Sequence, residues 1–364
     1  MELTVTQENL SKALNAVGRV ANGKTQLPIL SNILLRTDGN RLLIAATNLE
    51  IAITEYIGAK ITKPGAITIP AKLVAEFVGN LPNDTIEFKV VKDNLHIQSG
   101  SYKSIINGVI ADEFPELPTI NEDASVQYNI SVNDFKQAVN QTIVATSNDM
   151  ARPVLTGVFW HSVEGMLYLA GTDGYRLAER RLVKTKSQVS AIIPSSTLQE
   201  VLRVLSDDSE NVDILFDEMQ VRFRIDNTEI ISNLIDGNYP DYRQLIPATS
   251  ANSAIVKKSD FSRIVKISGL FSRDSGGSLN ISLKDDAISI HSIASELGEN
   301  TSKVEAAITG EGEITLNSRY LTEALNVIDC EEVSFGFDGK MSPSLIHAVG
   351  KDVDYYHIIM PLKS

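Results

Sequence analysis

Gly18, Gly23, Lys24 and Thr25 stand at the spacing G-x-x-x-x-G-K-[ST], the pattern of a loop whose backbone amides cradle phosphates. In that chemistry Lys24 would reach phosphate oxygens, Thr25 would hold magnesium, and the chain would be a nucleotide hydrolase. Such a loop works between a strand and a following helix, because the helix N-terminus must face the phosphates. Here a helical pattern over 10–17 comes first, and Leu27-Pro28-Ile29-Leu30 leads into a strand-like run. The order is inverted, and Pro28 removes an amide donor. The remaining reactive side chains do not cluster. His96, His161, His291, His347 and His357 lack metal-ligand spacing. Cys330 is the only cysteine, which excludes an internal disulfide, and its neighbours Glu331 and Glu332 would raise its thiol pKa. It is expected as a core residue closing the last helix. Thr172-Asp173-Gly174 reads as a turn after a strand over 166–170 rather than as a catalytic aspartate. With no catalytic, metal or cofactor cluster, the chain reads as a scaffold and not an enzyme.

The elements that carry these residues recur. Thr6-Gln7-Glu8-Asn9-Leu10, Ser131-Val132-Asn133-Asp134-Phe135 and Lys257-Lys258-Ser259-Asp260-Phe261 each place a polar start before an amphipathic helix. Leu10, Phe135 and Phe261 lie 125 and 126 residues apart. Thr6, Ser131 and Ser259 are expected as N-caps. A second helix is expected from Pro70-Ala71-Lys72-Leu73, Pro194-Ser195-Ser196-Thr197 and Asn317-Ser318-Arg319-Tyr320. Strand-like runs lie between, as at Ile33-Leu34-Leu35-Arg36, Val158-Phe159-Trp160 and Leu279-Asn280-Ile281-Ser282. Leu27-Pro28-Ile29-Leu30 matches Arg152-Pro153-Val154-Leu155, and Asp112-Glu113-Phe114-Pro115 matches Gly237-Asn238-Tyr239-Pro240, both at an offset of 125. The 364 residues therefore read as three copies of one α+β unit, each long enough for its own core. Boundaries are expected near 115–125 and 247–256, giving domains 1–121, 122–248 and 249–364.

The formal charge of −13 argues against nucleic acid if spread evenly. It is not even. The six segments read as helices carry +6, which leaves −19 on the rest of the chain. Lys12 and Arg263 occupy matching positions opposite the apolar stripe, with Gln137 in the middle copy; Asn15, Asn140 and Lys266 form the next row. A face of cations and amides without carboxylates suits loose phosphate contact without base reading, and equally suits an ordinary solvated face. No run of apolar residues is long enough to span a bilayer, and residues 1–4 do not begin a signal peptide, so a cytoplasmic protein is expected.

Leu27-Pro28-Ile29-Leu30, Thr172-Asp173-Gly174-Tyr175-Arg176-Leu177, Pro240-Asp241-Tyr242-Arg243 and Ile358-Ile359-Met360-Pro361-Leu362, in this order and in register with a threefold repeat, closely resemble the bacterial β sliding clamps. The resemblance runs the length of the chain. It implies three tandem clamp domains, each with two helices against antiparallel sheets, and a head-to-tail homodimer that closes a six-domain ring around duplex DNA. It also implies the partners of such a ring: double-stranded DNA held without sequence preference, the DNA polymerase III catalytic subunit, a clamp loader, and other polymerases and repair proteins that dock through short peptide motifs.

The resemblance further implies a peptide pocket between the second and third domains. It would comprise Leu155, Thr172, Gly174, Tyr175, Arg176, Leu177, Pro240, Leu245, Ile358 and Met360, with a neighbouring subsite of Arg152, Asn317, Tyr320 and Pro361. Aliphatic walls would take apolar anchors, while arginine and asparagine would fix polar groups. DNA would face Lys12, Lys24, Lys72, Gln137, Lys258, Arg263 and Lys266. Ring closure would pair the strand around Lys103, Ser104, Ile105 and Ile106 with an edge near Glu296 and Glu299, sealed by Leu270 and Phe271. Two readings compete. A hydrolase would lose ATP turnover on Lys24→Ala, and a three-domain adaptor would bind peptides without salt-dependent affinity for DNA.

Overall fold

The computed structural model describes residues 1–22, 27–122, 125–273, 276–295, 298–350 and 353–362. Among them are six α-helices, α1 (Gln7–Val17), α2 (Ala71–Gly79), α3 (Val132–Ile143), α4 (Ser195–Val204), α5 (Lys258–Leu270) and α6 (Ser318–Val327). A strand runs directly into each, as Glu2–Thr6 does into α1 and Gly312–Asn317 into α6. The expected stripes are the buried faces: Leu10, Ala13, Leu14 and Val17 on α1; Phe135, Ala138 and Val139 on α3; Phe261, Ile264, Val265 and Ser268 on α5.

The helix starts differ in part from the sequence reading. Thr6 holds the N-cap position of α1 but its side chain makes no cap bond, and the cap of α5 is Lys257, which puts Ser259 inside the helix. In both cases the preceding strand delivers the chain already extended, so the ladder rather than a side chain sets where the helix begins. Asn317 does cap α6, its side chain accepting from the amides of Arg319 and Tyr320. The order around Gly18 is the inverted one: α1 precedes it, and the strand Asn32–Asp38 follows the short 3₁₀ turn Pro28–Ser31. Gly23, Lys24 and Thr25 lie outside the described residues.

All strand pairings are antiparallel. The contacts divide the chain into two compact units. The first comprises Met1–Val132 with Thr197–Leu234. It contains an eight-stranded sheet ordered Val126–Ser131, Asn211–Phe216, Gln220–Ile225, Thr228–Asn233, Ile51–Gly58, Arg41–Thr47, Asn32–Asp38, Ala66–Pro70. Its five-stranded sheet runs Lys60–Lys63, Glu2–Thr6, Thr85–Val91, Asn94–Ser99, Tyr102–Asn107.

The second unit comprises Asn133–Ser196 with Ile235–Ser364. Its nine-stranded sheet runs Ser190–Pro194, Gly157–Val163, Met166–Thr172, Arg176–Lys184, Tyr355–Ile359, Ser344–Ala348, Glu332–Phe337, Asn252–Lys257, Ala307–Thr309. A four-stranded sheet runs Gly298–Glu305, Ala287–Ala294, Ser278–Lys284, Gly312–Asn317.

The sheets run across the copies. The middle copy contributes half its strands to each unit, because its strands continue the sheets of the first and third copies: Thr228–Asn233 pairs with Ile51–Gly58, and Arg176–Lys184 pairs with Tyr355–Ile359. One core cluster accordingly joins Ala145 and Ala178 to Phe261, Phe335 and Ile359. Phe135 packs against Trp160, and Phe261 against Phe335.

Candidate functional site

The strand Met166–Thr172 ends in a turn built by two side chains. Thr172 donates from Oγ1 to the Arg176 carbonyl at 2.6 Å and accepts from the Gly174 amide at 3.1 Å. Asp173 Oδ1 accepts from the amides of Tyr175 and Arg176 at 2.9 and 3.0 Å. The turn needs a left-handed residue, supplied by Gly174 at φ 89°. It leaves Tyr175 67% exposed. The Met360 amide then donates to the Tyr175 carbonyl at 2.8 Å, extending the ladder in which Arg176 faces Ile359 and Leu177 faces Ile358. Asp173 thus has the turn role that the sequence assigns it.

Leu155, Leu177 and Ile358 are buried, and Leu177 and Ile358 pack with Ala170, Tyr242 and Leu345. They form a floor. Over it stand the exposed Tyr175 and Leu245, the exposed Pro240 and the half-buried Met360 and Pro361. Arg152 is exposed at the start of the short turn Pro153–Thr156, and Tyr320 is half-buried. The nominated pocket residues therefore all belong to the second unit.

Two polar members are committed elsewhere. Arg176 is buried and ion-paired: its Nε lies 3.1 Å from Asp173, its Nη1 bonds Glu323, and its guanidinium lies 4.4 Å over the Tyr320 ring. Asn317 spends its oxygen on the α6 cap, and its amide donates to the Gly276 carbonyl at 3.3 Å. Both side chains thus have partners within the chain, and a buried arginine needs such carboxylates to offset its desolvation.

Beneath the floor lies a network that motif reading missed. Tyr242 donates to the buried Glu179 at 2.5 Å, Arg243 Nε lies 3.2 Å from the same carboxylate, and His161 Nε2 lies 2.6 Å from the Tyr242 hydroxyl. Because that hydroxyl already donates to Glu179, His161 must donate from Nε2 and is neutral. Its pKa is lowered to about 4, by burial first and by Arg243 second. His357 is buried, with Nδ1 2.7 Å from the Tyr355 hydroxyl, and burial lowers its pKa to about 3. The Cys330 thiol is pushed up by burial and by Asp329, not by the glutamates that follow it; it is half-buried against the core.

The nominated DNA-facing residues are placed as follows. Lys12, Lys72, Arg263 and Lys266 are exposed, but Lys12 pairs with Glu8 at 2.9 Å and Arg263 with Asp260 at 3.1 Å. Gln137 is half-buried and accepts from Arg180 at 3.4 Å. Lys258 donates to the Ile328 carbonyl at 2.7 Å, so its ammonium closes the end of α6. Lys24 lies outside the described residues. The six helices themselves carry +2, all on α5, because Arg19, Lys257 and Arg273 fall just beyond them and Lys24 lies outside the described residues. A groove of about 680 Å³ between α3 and α6 is lined by amides and Lys136, with Asp329 at one side.

The nominated closing strands are both sheet edges. Tyr102–Asn107 ends the five-stranded sheet and Gly298–Glu305 ends the four-stranded one. Lys103, Ile105, Glu299 and Leu270 are exposed, Ser104 and Phe271 are half-buried, and Glu296 lies outside the described residues. Ile106 is buried, because strand alternation turns it into the unit's own core. Among the described residues no acidic, histidine or cysteine cluster could hold a metal ion, and no helix is long and apolar enough to cross a membrane.

Models of the DNA polymerase III beta subunit match the whole chain in sequence order: the N-terminal domain over residues 1–118, the central domain over 129–241 and the C-terminal domain over 243–363. The beta sliding clamp of Bacillus subtilis (strain 168) is 32% identical over 383 residues, covering all of both chains. The crystal structure of a Bacillus subtilis DNA polymerase sliding clamp matches at TM-score 0.95 and 30% identity, over all of this chain and 99% of that one. A Pseudomonas aeruginosa sliding clamp bound to griselimycin matches at TM-score 0.94 and 25% identity over the full length of both. Three tandem α+β clamp domains, matched end to end by relatives of this kind, make the chain a member of the bacterial β sliding clamp family, the beta subunits of DNA polymerase III.

Proposed function

We propose that the protein is a DNA polymerase processivity factor that works without turnover. Two copies would join head to tail through the edges Tyr102–Asn107 and Gly298–Glu305, enclosing duplex DNA in the cytoplasm. Enclosure keeps the ring on DNA while its contacts stay weak enough to slide. A tethered polymerase gains effective concentration at the primer end without tighter primer binding. In this reading the domains are 1–121, 122–248 and 249–364.

The observation that carries the reading is family membership over the full length, supported by an edge strand in each unit with an exposed isoleucine at or beside it, Ile105 on Tyr102–Asn107 and Ile293 on the strand next to Gly298–Glu305. Exposed Tyr175 and Leu245 and half-buried Met360 beside the buried Leu155, Leu177 and Ile358 support a surface for short peptides ending in apolar residues. Griselimycin bound to the Pseudomonas aeruginosa relative supports a ligand site in this fold. The polymerase catalytic subunit, the clamp loader and repair proteins are the partners proposed for it.

Fluorescence polarisation of a labelled Gln-Leu-Ser-Leu-Phe peptide tests the pocket. The intact chain should bind in the micromolar range, and a chain ending at Ile359, which lacks Met360 and Pro361, should not. Equal binding by both would move the pocket elsewhere.

A further inference from the structure

The threefold repeat duplicates the pocket turn. At 47–51, Thr47 Oγ1 donates to the Ile51 carbonyl at 3.0 Å and accepts from the Leu49 amide at 3.0 Å. Asn48 Oδ1 accepts from the amides of Glu50 and Ile51 at 3.0 and 2.9 Å. These are the bonds of the turn at 172–176, one for one. The strand register repeats too: Thr228–Asn233 lies against Ile51–Gly58, and the Asn233 amide donates to the Glu50 carbonyl at 2.9 Å as Met360 does to Tyr175. Pro28–Ser31 repeats Pro153–Thr156. The repeated set, 28–31, 47–51 and Thr228–Asn233, belongs to the first unit.

We propose that this first seam is a second docking site, for a linear peptide that carries an apolar anchor flanked by basic residues. The inference rests on the reading of the turn at 172–176 as a peptide pocket.

The side chains set on the shared frame carry the argument. Gly174 is replaced by Leu49, which keeps the left-handed backbone at φ 76° and holds its side chain 54% exposed. A leucine there contributes nothing to its own fold that glycine would not supply more easily. The next residue along the strand, Leu234, donates its amide to the Met219 carbonyl at 2.8 Å, which brings a second exposed apolar side chain to the same strand end. Leu27 stands at the position of Arg152, whose guanidinium lies 4.0 Å from where a Cβ on Gly174 would be. The charge changes sign with the same substitutions: Arg152 and Tyr175 become Leu27 and Glu50, and Glu218 adjoins Met219. Exposed Glu50 and Glu218 beside Leu49 and Met219 complement lysine or arginine flanking an apolar anchor.

The probe is a labelled peptide Lys-Gln-Leu-Ser-Leu-Phe-Lys titrated against the full-length chain and two variants. Met360→Asp disables the pocket at 172–176. Leu49→Asn with Met219→Asp alters the first seam at exposed positions, and asparagine accepts the left-handed backbone. A two-site isotherm is expected for the unmodified chain. Met360→Asp should remove one site and keep the other; the Leu49/Met219 pair should weaken the other at least tenfold; and exchanging the flanking lysines for glutamate should do the same. Loss of all binding on Met360→Asp overturns this proposal and leaves the pocket reading intact. Residual binding that ignores the Leu49/Met219 pair overturns it as well. Binding that ignores Met360→Asp but falls with the Leu49/Met219 pair supports the first seam and refutes the pocket at 172–176.

Discussion

Single residues carry more here than the motifs that advertise them. The neutral His161, wedged between Phe159 and Tyr168 and bonded to Tyr242, resists protonation down to about pH 4, whereas an unfolded histidine titrates near 6.5. Between those values the unfolded chain binds a proton that the folded chain refuses, so stability falls as pH drops through this window. His357 extends the same trend to about pH 3. Urea denaturation between pH 7 and pH 4 should show the decline, and His161→Phe should flatten part of it; an unchanged slope would mean the histidine is not its source. Arg176→Ala strands Asp173 and Glu323 beside one another and should lower stability by about 3 kcal/mol in the same assay. Leu49→Gly works in the opposite direction, relieving a left-handed leucine, and should raise stability by about 1 kcal/mol. Little of this was legible beforehand. Tyr242 stands 63 residues from Glu179 and 81 from His161, and they meet only because two strands and a loop come together. By contrast, Thr172 and Asp173 bond within four residues of themselves, and the sequence alone assigns them to a turn.

Elements were the most legible scale, because a helix stripe and a strand alternation are local patterns that repetition repeats three times over. The faces built on Leu10, Phe135 and Phe261 are the buried ones. The helix ends were read less well. Asn317 was nominated for ligand contact, yet its side chain holds the first turn of α6, and that helix carries Tyr320 and the Glu323 that anchors Arg176. Asn317→Ala should therefore cost about 1 kcal/mol of stability, while Asn317→Asp, which caps as well, should restore it. A ligand-contact role alone would leave thermal unfolding unmoved by either change. The charge tally had the same weakness at its edges. Arg19 and Arg273 lie just past the ends of α1 and α5, and Lys257 ends the strand that enters α5, so these cations flank the helices rather than line their faces. Lys258 shows the cost of counting charge without geometry, since its ammonium terminates α6.

At the scale of the whole molecule, sheets rather than domains are the continuous objects. Each seam is a row of ladder hydrogen bonds between copies, one inside each unit. Among the sheet edges are Tyr102–Asn107, which carries the exposed Ile105, and Gly298–Glu305, whose neighbouring strand carries the exposed Ile293, and an edge with an exposed isoleucine at or beside it invites another strand. In one chain these edges lie in different units, so the proposed pairing between two chains would be heterologous, and two chains would close it into a ring. Closure makes a prediction that mere affinity does not. The protein should stay with nicked circular DNA at salt concentrations that strip it from the same DNA made linear, because counterion release weakens contacts equally in both while only the circle blocks escape by sliding. Ile105→Asp puts a charge on the exposed face of the closing strand and leaves Ile106 in the core. It should shift sedimentation toward monomer and abolish retention on the circle, with thermal unfolding of the chain little changed. Retention that survives Ile105→Asp would place the closing edge on another strand. Equal release from circle and line would leave a protein that binds DNA without enclosing it.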